Sequence, residues 1–169
     1  ATFTETRHML IHSPELLEKV NKQLKDIGYP PYTGKTKIKH FVRVLYEDIG
    51  LDKIKQMVVK PLTKLKLAVH YGCHFIKPSE AFERWDDPEF PSSIDEFLKI
   101  IGAESVDYGY RNQCCGGAIL GIKQETAKKM TFEKLKRIQQ VNADAMVIVC
   151  PFCGIMYEGN QRAIEKEFN

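Results

Sequence analysis

Five cysteines carry most of the chemical information in this 169-residue sequence: Cys73, Cys114, Cys115, Cys150 and Cys153. One thiol is followed after 40 residues by an adjacent pair, then after 34 more by a Cys-x-x-Cys. An odd count, with no signal segment visible, argues against a disulfide framework, which needs even pairing and an oxidising compartment. The expectation is of reduced thiols in a cytoplasmic protein, available as ligands or redox groups. A single buried cysteine reads as a small hydrophobe, but that account does not extend to a vicinal pair before Gly116-Gly117 together with a Cys-x-x-Cys. Zinc takes four ligands in a tetrahedron, and Cys150 with Cys153 has the spacing of half a site. Five thiols leave one over, and adjacent cysteines chelate one ion awkwardly. Thioredoxin-like exchange uses only a Cys-x-x-Cys and leaves three thiols unexplained. An iron–sulfur cluster spreads several irons over a few ångströms, so neighbouring cysteines reach different irons. A standard four-iron cluster needs four thiolates, so five suggest an opened cluster with a bridging or extra one. Gly72, Gly116, Gly117 and Gly154 let backbone approach the sulfurs and donate N–H groups to them.

Other side chains carry weaker signals. His74, next to Cys73, is the candidate proton or hydrogen-bond donor to a sulfur, and it equally fits a surface loop. His70, inside a strand pattern, reads as a satisfied core histidine, and His8, His12 and His40 show no ligand spacing. Lys77 and Lys123 flank cysteine loops and could attract an anionic thiol, although chance placement accounts for both. Trp85 and Phe90 lie in a Pro/Asp-rich loop that could cover a site or a partner surface.

The elements that position the cysteines follow from punctuation and periodicity. Ser13-Pro14-Glu15 predicts a helix start, Leu16, Leu17, Val20, Leu24 and Ile27 its apolar stripe, and Gly28 its stop. Two further helical stripes end at Gly50 and near Pro61, so residues 1–64 read as a helical segment packed on the rest. Residues 65–71 predict a strand running into Gly72-Cys73-His74. Ser92 and Ser93 stand at capping-box spacing from Asp95 and Glu96, opening a helix that stops at Gly102. A short strand over about 105–110 leads to the Cys114-Cys115 pair, and a helix over about 124–141 turns Ala127, Met130, Leu135 and Ile138 inward. Residues 144–149 are almost wholly apolar and predict a strand buried on both faces. That strand delivers Cys150, and 155–168 is helical. Strand, helix, strand, helix, strand, helix predicts an α/β fold: a small parallel sheet with flanking helices and a helical N-terminal segment. Each cysteine group follows a strand, so all three should meet at the carboxyl edge of the sheet. Two units are expected, 1–64 and 65–169.

Composition sets the outer bounds. Apolar residues at 43% and charged residues at 28% exclude disorder, collagen-like repeats and a coiled coil. A formal charge of +3, from 25 basic and 22 acidic residues, gives no nucleic-acid footprint. The apolar runs fall far short of the roughly 20 residues of a membrane span.

The wording around the thiols, Tyr71-Gly72-Cys73-His74, Cys114-Cys115-Gly116-Gly117 and Cys150-Pro151-Phe152-Cys153, resembles the cysteine-rich CCG domain. Within that group it is similar to the catalytic B subunit of heterodisulfide reductase from methanogenic archaea. Val44-Leu45-Tyr46-Glu47-Asp48-Ile49-Gly50-Leu51 resembles the linking region of that catalytic chain. The resemblance implies a noncubane [4Fe–4S] cluster held by Cys73, Cys114, Cys115, Cys150 and Cys153, in a polypeptide that carries two such motifs. The paired clusters reductively cleave the mixed disulfide of coenzyme M and coenzyme B. Only one motif stands here, and Ala1-Thr2-Phe3-Thr4 looks like the stretch after the first motif's last cysteine. The chain therefore resembles the second, C-terminal half, and is expected to need the other half and partner subunits for activity. Related CCG domains serve succinate dehydrogenase-like, thiol:fumarate reductase and glycolate or lactate oxidation systems, so a noncatalytic electron-transfer or docking module is the alternative. A zinc-binding interaction domain is the third reading, and an isolated, air-exposed chain could carry zinc.

Overall fold

The computed structural model describes residues 2–168. Three parallel strands, β1 (Lys66–His70), β2 (Glu104–Val106) and β3 (Ala145–Ile148), form one sheet in the order β2-β1-β3. The register pairs Ala68 with Val106 on one side and with Met146 on the other. Helix α1 spans Thr2–His12, α2 Pro14–Asp26, α3 Phe41–Arg43 and α4 Leu51–Met57, with π-helical turns at Val44–Gly50 between the last two. Behind the strands follow α5 (Ser93–Ile100), α6 (Gln124–Gln140), α7 (Pro151–Gly154) and α8 (Gln161–Phe168). The parallel α/β architecture is as the element order predicts.

Alternation along β1 divides the core. Leu67 and Val69, continued by Tyr71, pack with Phe75, Ile76 and the α5 residues Ile94 and Leu98. Ala68 faces the other way, against Tyr108 and Ile138 of α6. A second cluster on the α6 side joins Ala127, Met156 and Tyr157 to Cys115 and Cys153. The helical front makes its own contacts: α1 lies on α2, and α4 lies on α5.

Two expectations are corrected. The buried strand is the central β1, exposed only at Lys66, whereas the more apolar β3 is only partly buried because it lies at the sheet edge. A groove of about 720 Å³, lined by β3, α6 and α8 residues such as Met146, Leu135 and Gln161, runs beside it. The capping box at Ser92 does not form either, since the Ser92 hydroxyl meets the Glu96 carboxylate at 2.7 Å. The first N–H groups of α5 go instead to distant acceptors. Ser92 and Ser93 donate to Asp86 at 3.2 Å each, and Ile94 donates to the Tyr71 hydroxyl at 2.9 Å. Those bonds satisfy the orphan donors of a helix start.

Candidate functional site

The three cysteine groups lie just beyond the carboxyl ends of the strands. β1 ends at His70 and leads to Cys73, β2 ends at Val106 before the 107–115 loop, and β3 ends at Ile148 before Cys150. The parallel register puts these ends on one edge, and the sulfurs meet there as a chain of neighbours. Cys73 Sγ is 4.0 Å from Cys114 Sγ. Cys115 lies near enough to Cys114 and Cys153, and Cys153 to Cys150, for these thiols to shift one another's acidity. All five are free thiols, Cys115 and Cys153 buried and the other three half-buried. Among the described residues, no three His, Cys, Asp or Glu side chains surround a point that one metal ion could occupy.

Local backbone geometry supports the sulfurs. Gly116 N–H points to Cys114 Sγ at 3.4 Å, and Gly117 N–H to Cys115 Sγ at 3.3 Å. Gly116 adopts φ +88°, with its Cα so close to α6 that a Cβ there would sit 2.6 Å from the Ala127 carbonyl oxygen. Thr131, fully buried on the same helix, donates its hydroxyl to the Cys115 carbonyl at 2.7 Å. The vicinal pair is therefore clamped onto α6 from both sides. At Cys150 the first turn of α7 begins, with Pro151 as its first residue.

The thiols differ in acidity. Cys115 is pushed down to about 6 by the hydrogen bond from Cys153, helped by the Gly117 N–H. Its partner Cys153 moves up, because the two share one proton and a second thiolate beside Cys115 is unfavourable. Burial, with Cys114 as a like-charged neighbour, raises Cys73 to about 11. The centre therefore readily carries one thiolate, and further ones require compensating positive charge.

Two of the residues in this centre were not foreseen. His70 is buried and satisfied, as a core histidine should be, but its Nε2 lies 3.3 Å from Cys153 Sγ. On its other side Nδ1 lies 3.2 Å from Nζ of Lys134, a lysine only 1% exposed. Desolvation, then the lysine charge, drives His70 down to about 3, and desolvation lowers Lys134 to about 8. The available signal was a lysine in register with Ala127, Thr131 and Ile138 on the inward stripe of α6.

The remaining candidates hydrogen-bond or pack to groups other than the sulfurs. His74 is mostly exposed, with Nδ1 3.3 Å from the Glu5 carboxylate of α1. His8 and His12 stack on α1 with ring centroids 4.2 Å apart, and His40 caps α3 and bonds the Val149 carbonyl at 3.1 Å. Lys77 pairs with Glu89 at 3.1 Å. Trp85 packs edge-on against Phe75, whereas Phe90 is exposed.

A parallel α/β unit that gathers five thiols at one sheet edge defines a cysteine-rich redox-type domain. Residues 67–158, which include every cysteine, match the CCG cysteine-rich domain family, and the chain belongs to that family. It is similar to a protein of Archaeoglobus profundus named for its likeness to the B subunit of heterodisulfide reductase, 36% identical across 98% of this chain and 56% of that protein. The B subunit of the ferredoxin/F(420)H(2)-dependent CoB-CoM heterodisulfide reductase of Methanosarcina acetivorans is 35% identical, covering 94% of this chain and 53% of its own length. The membrane anchor subunit of the 8-methylmenaquinol:fumarate reductase of Wolinella succinogenes is 29% identical over 82% of this chain and 48% of its own. The chain spans about half the length of these curated relatives. These matches support an iron–sulfur redox role. No described helix is long and apolar enough to cross a membrane.

Proposed function

We propose that Cys73, Cys114, Cys115, Cys150 and Cys153 hold one noncubane [4Fe–4S] cluster. In this reading the chain is one half of a heterodisulfide reductase-type B subunit working in the cytoplasm. The carrying observation is the gathering of five thiols at one sheet edge, one more than a tetrahedral site takes. Such a set suits several irons better than one tetrahedral zinc. When bound, a cluster of this kind supplies one-electron redox chemistry at the sulfur site.

The chain's own residues do the rest. Gly116 and Gly117 N–H groups stabilise charge on Cys114 and Cys115. Cys115 and Cys153 are buried, while the half-buried Cys73, Cys114 and Cys150 are the sulfurs we assign to contact with a thiol or disulfide. Reductive cleavage of the coenzyme M–coenzyme B disulfide consumes two electrons and two protons and yields two thiols. His74, exposed beside Cys73 and oriented by Glu5, is the side chain we assign to proton delivery. Residues 1–64 serve as the linking segment and 65–169 as the iron–sulfur unit. A second motif-bearing half and partner subunits complete the enzyme. A second reading, a noncatalytic electron-transfer or docking module, draws on the Wolinella succinogenes relative, which is itself named a membrane anchor subunit.

Anaerobic reconstitution with iron and sulfide tests the site. The expected product carries close to four irons per chain and a paramagnetic signal that changes on adding coenzyme M. Cys150→Ser and Cys153→Ser should lower iron content, because each breaks a local chelate. Cys114→Ser and Cys115→Ser should keep iron but lose the thiol-dependent signal. Stoichiometric zinc with no iron uptake overturns the cluster, and an unchanged thiol response in both vicinal variants overturns the five-ligand arrangement. Disulfide reduction with the other half supplied separates the enzyme from the docking module.

A further inference from the structure

Among the described residues, Lys134 is a buried cation with no carboxylate in its contact set. Its ammonium meets Gln113 O at 2.7 Å, Tyr110 O at 2.8 Å, Arg111 O at 3.1 Å and His70 Nδ1 at 3.2 Å. Removing an ammonium from water is costly unless negative charge and hydrogen bonds compensate. The three carbonyls all come from the loop that presents Cys114, so the lysine ties α6 to the cysteine edge. Nothing about iron binding by itself requires a lysine there.

The contact with His70 fixes a tautomer. Nδ1 has two neighbours, Lys134 Nζ at 3.2 Å and the Arg111 carbonyl oxygen at 3.3 Å. That oxygen already accepts from Lys134 at 3.1 Å, and an Nδ1–H beside the ammonium would set two donors against each other, so the Nδ1 lone pair faces Lys134. The ring proton then sits on Nε2, aimed at Cys153 Sγ 3.3 Å away. Tyr157 stands edge-on to the ring with centroids 5.0 Å apart, and both residues are buried, so the imidazole has little room to turn. Donor, ring and sulfur form one oriented line from Lys134 to the centre.

We propose that Lys134 and His70 act as a positioning pair: the ammonium holds His70 as an Nε2–H donor to Cys153, and its charge makes the group bound there easier to reduce. The second half of this statement rests on the iron–sulfur reading above, and the first half does not. Each electron added to a bound cluster adds one negative charge, which a nearby cation and an N–H···S bond both stabilise. The pair therefore favours the reduced form.

The tautomer is read by ¹⁵N NMR on the wild-type, metal-free, reduced chain, where His70 should be the Nε2–H form. An Nδ1–H ring overturns the proposal without touching the cluster. The reductive effect is read on reconstituted protein by paramagnetic resonance during dithionite titration. His70→Leu and Lys134→Met should each lower the reduced-to-oxidised ratio at a fixed ambient potential about tenfold, or about 59 mV for one electron. His70→Gln, which retains an N–H donor, and Lys134→Arg, which retains the charge, should recover part of that shift. Because Lys134→Met strands three carbonyls and can cost the fold, His70→Leu decides if the lysine variant does not load iron. A loaded His70→Leu with wild-type potential overturns the proposal. Failure of wild-type protein to take up iron strikes the cluster reading, and leaves the tautomer to be decided on the metal-free chain.

Discussion

Replacing Gly116 by alanine should destabilise the metal-free chain and loosen the vicinal pair. The residue lies at φ +88°, where a non-glycine side chain costs about 1–2 kcal/mol. The new Cβ would stand 2.6 Å from Ala127 O, 2.9 Å from its Cα and 3.1 Å from its carbonyl carbon. These are helix backbone atoms that cannot swing aside, so either α6 or the loop must move, an overpacking cost of roughly 1–3 kcal/mol. Alanine also reduces the freedom of the unfolded chain, which offsets about 0.4–1 kcal/mol. The net loss is about 1–4.5 kcal/mol. Urea unfolding followed by circular dichroism, under reducing anaerobic conditions, measures it directly. Gly121→Ala is the matched control, since nothing lies within 4 Å of its added Cβ, and its change should stay within about 0.5 kcal/mol. Shifting the loop also pulls the Gly117 N–H from Cys115 and strains the Thr131 bond to the Cys115 carbonyl. Iron uptake on reconstitution should therefore fall in Gly116→Ala and not in Gly121→Ala. If both variants match wild type in stability and loading, the close approach of this loop to α6 does not hold the vicinal pair.

Other perturbations reach the supports around the site. Tyr71→Phe removes the hydroxyl that donates to Asp95 at 2.7 Å and accepts from Ile94 N–H at 2.9 Å. Asp95 keeps Arg111 and Ser105, but the buried Ile94 N–H is left unpaired. That should cost about 1–3 kcal/mol in urea unfolding, and a change below about 0.5 kcal/mol would contradict that role. His40 is neutral in the fold, accepting from Val42 N–H at Nδ1 and donating from Nε2 to the Val149 carbonyl. Burial lowers its affinity for a proton, so the unfolded chain binds more protons as pH falls through the ordinary histidine range. Stability should thus be highest above about 6.5 and decline below it. Compared at about pH 7.5 and about pH 5.5, on either side of that range, His40→Asn should show a smaller decline than wild type, and equal declines would remove His40 as the cause.

Local signals were enough for the frame of the protein. Cysteine spacing, the glycines beside each thiol and the alternation of strand and helix patterns led to a parallel α/β unit with three loops on one edge. They succeed because strand propensity, helix stops and turn glycines act between residues near in sequence. The hidden parts depend on partners far along the chain. The start of α5 is satisfied by Asp86 and Tyr71 rather than by its own serines, since a folded-back loop and β1 bring those acceptors closer to the helix N–H groups. The apolar residues of β3 gave no sign that it would be an edge strand, because strand order follows from crossover packing rather than from composition. In the sequence little sets Lys134 apart from the other lysines of the 124–140 helix; its place is decided when α6 packs beside β1. Only that packing sets its ammonium among three loop carbonyls and the His70 ring, 64 residues distant in sequence. The thiols and their spacing are properties of the sequence, whereas the charge and hydrogen bonds that reach them come from side chains that converge only in the folded chain.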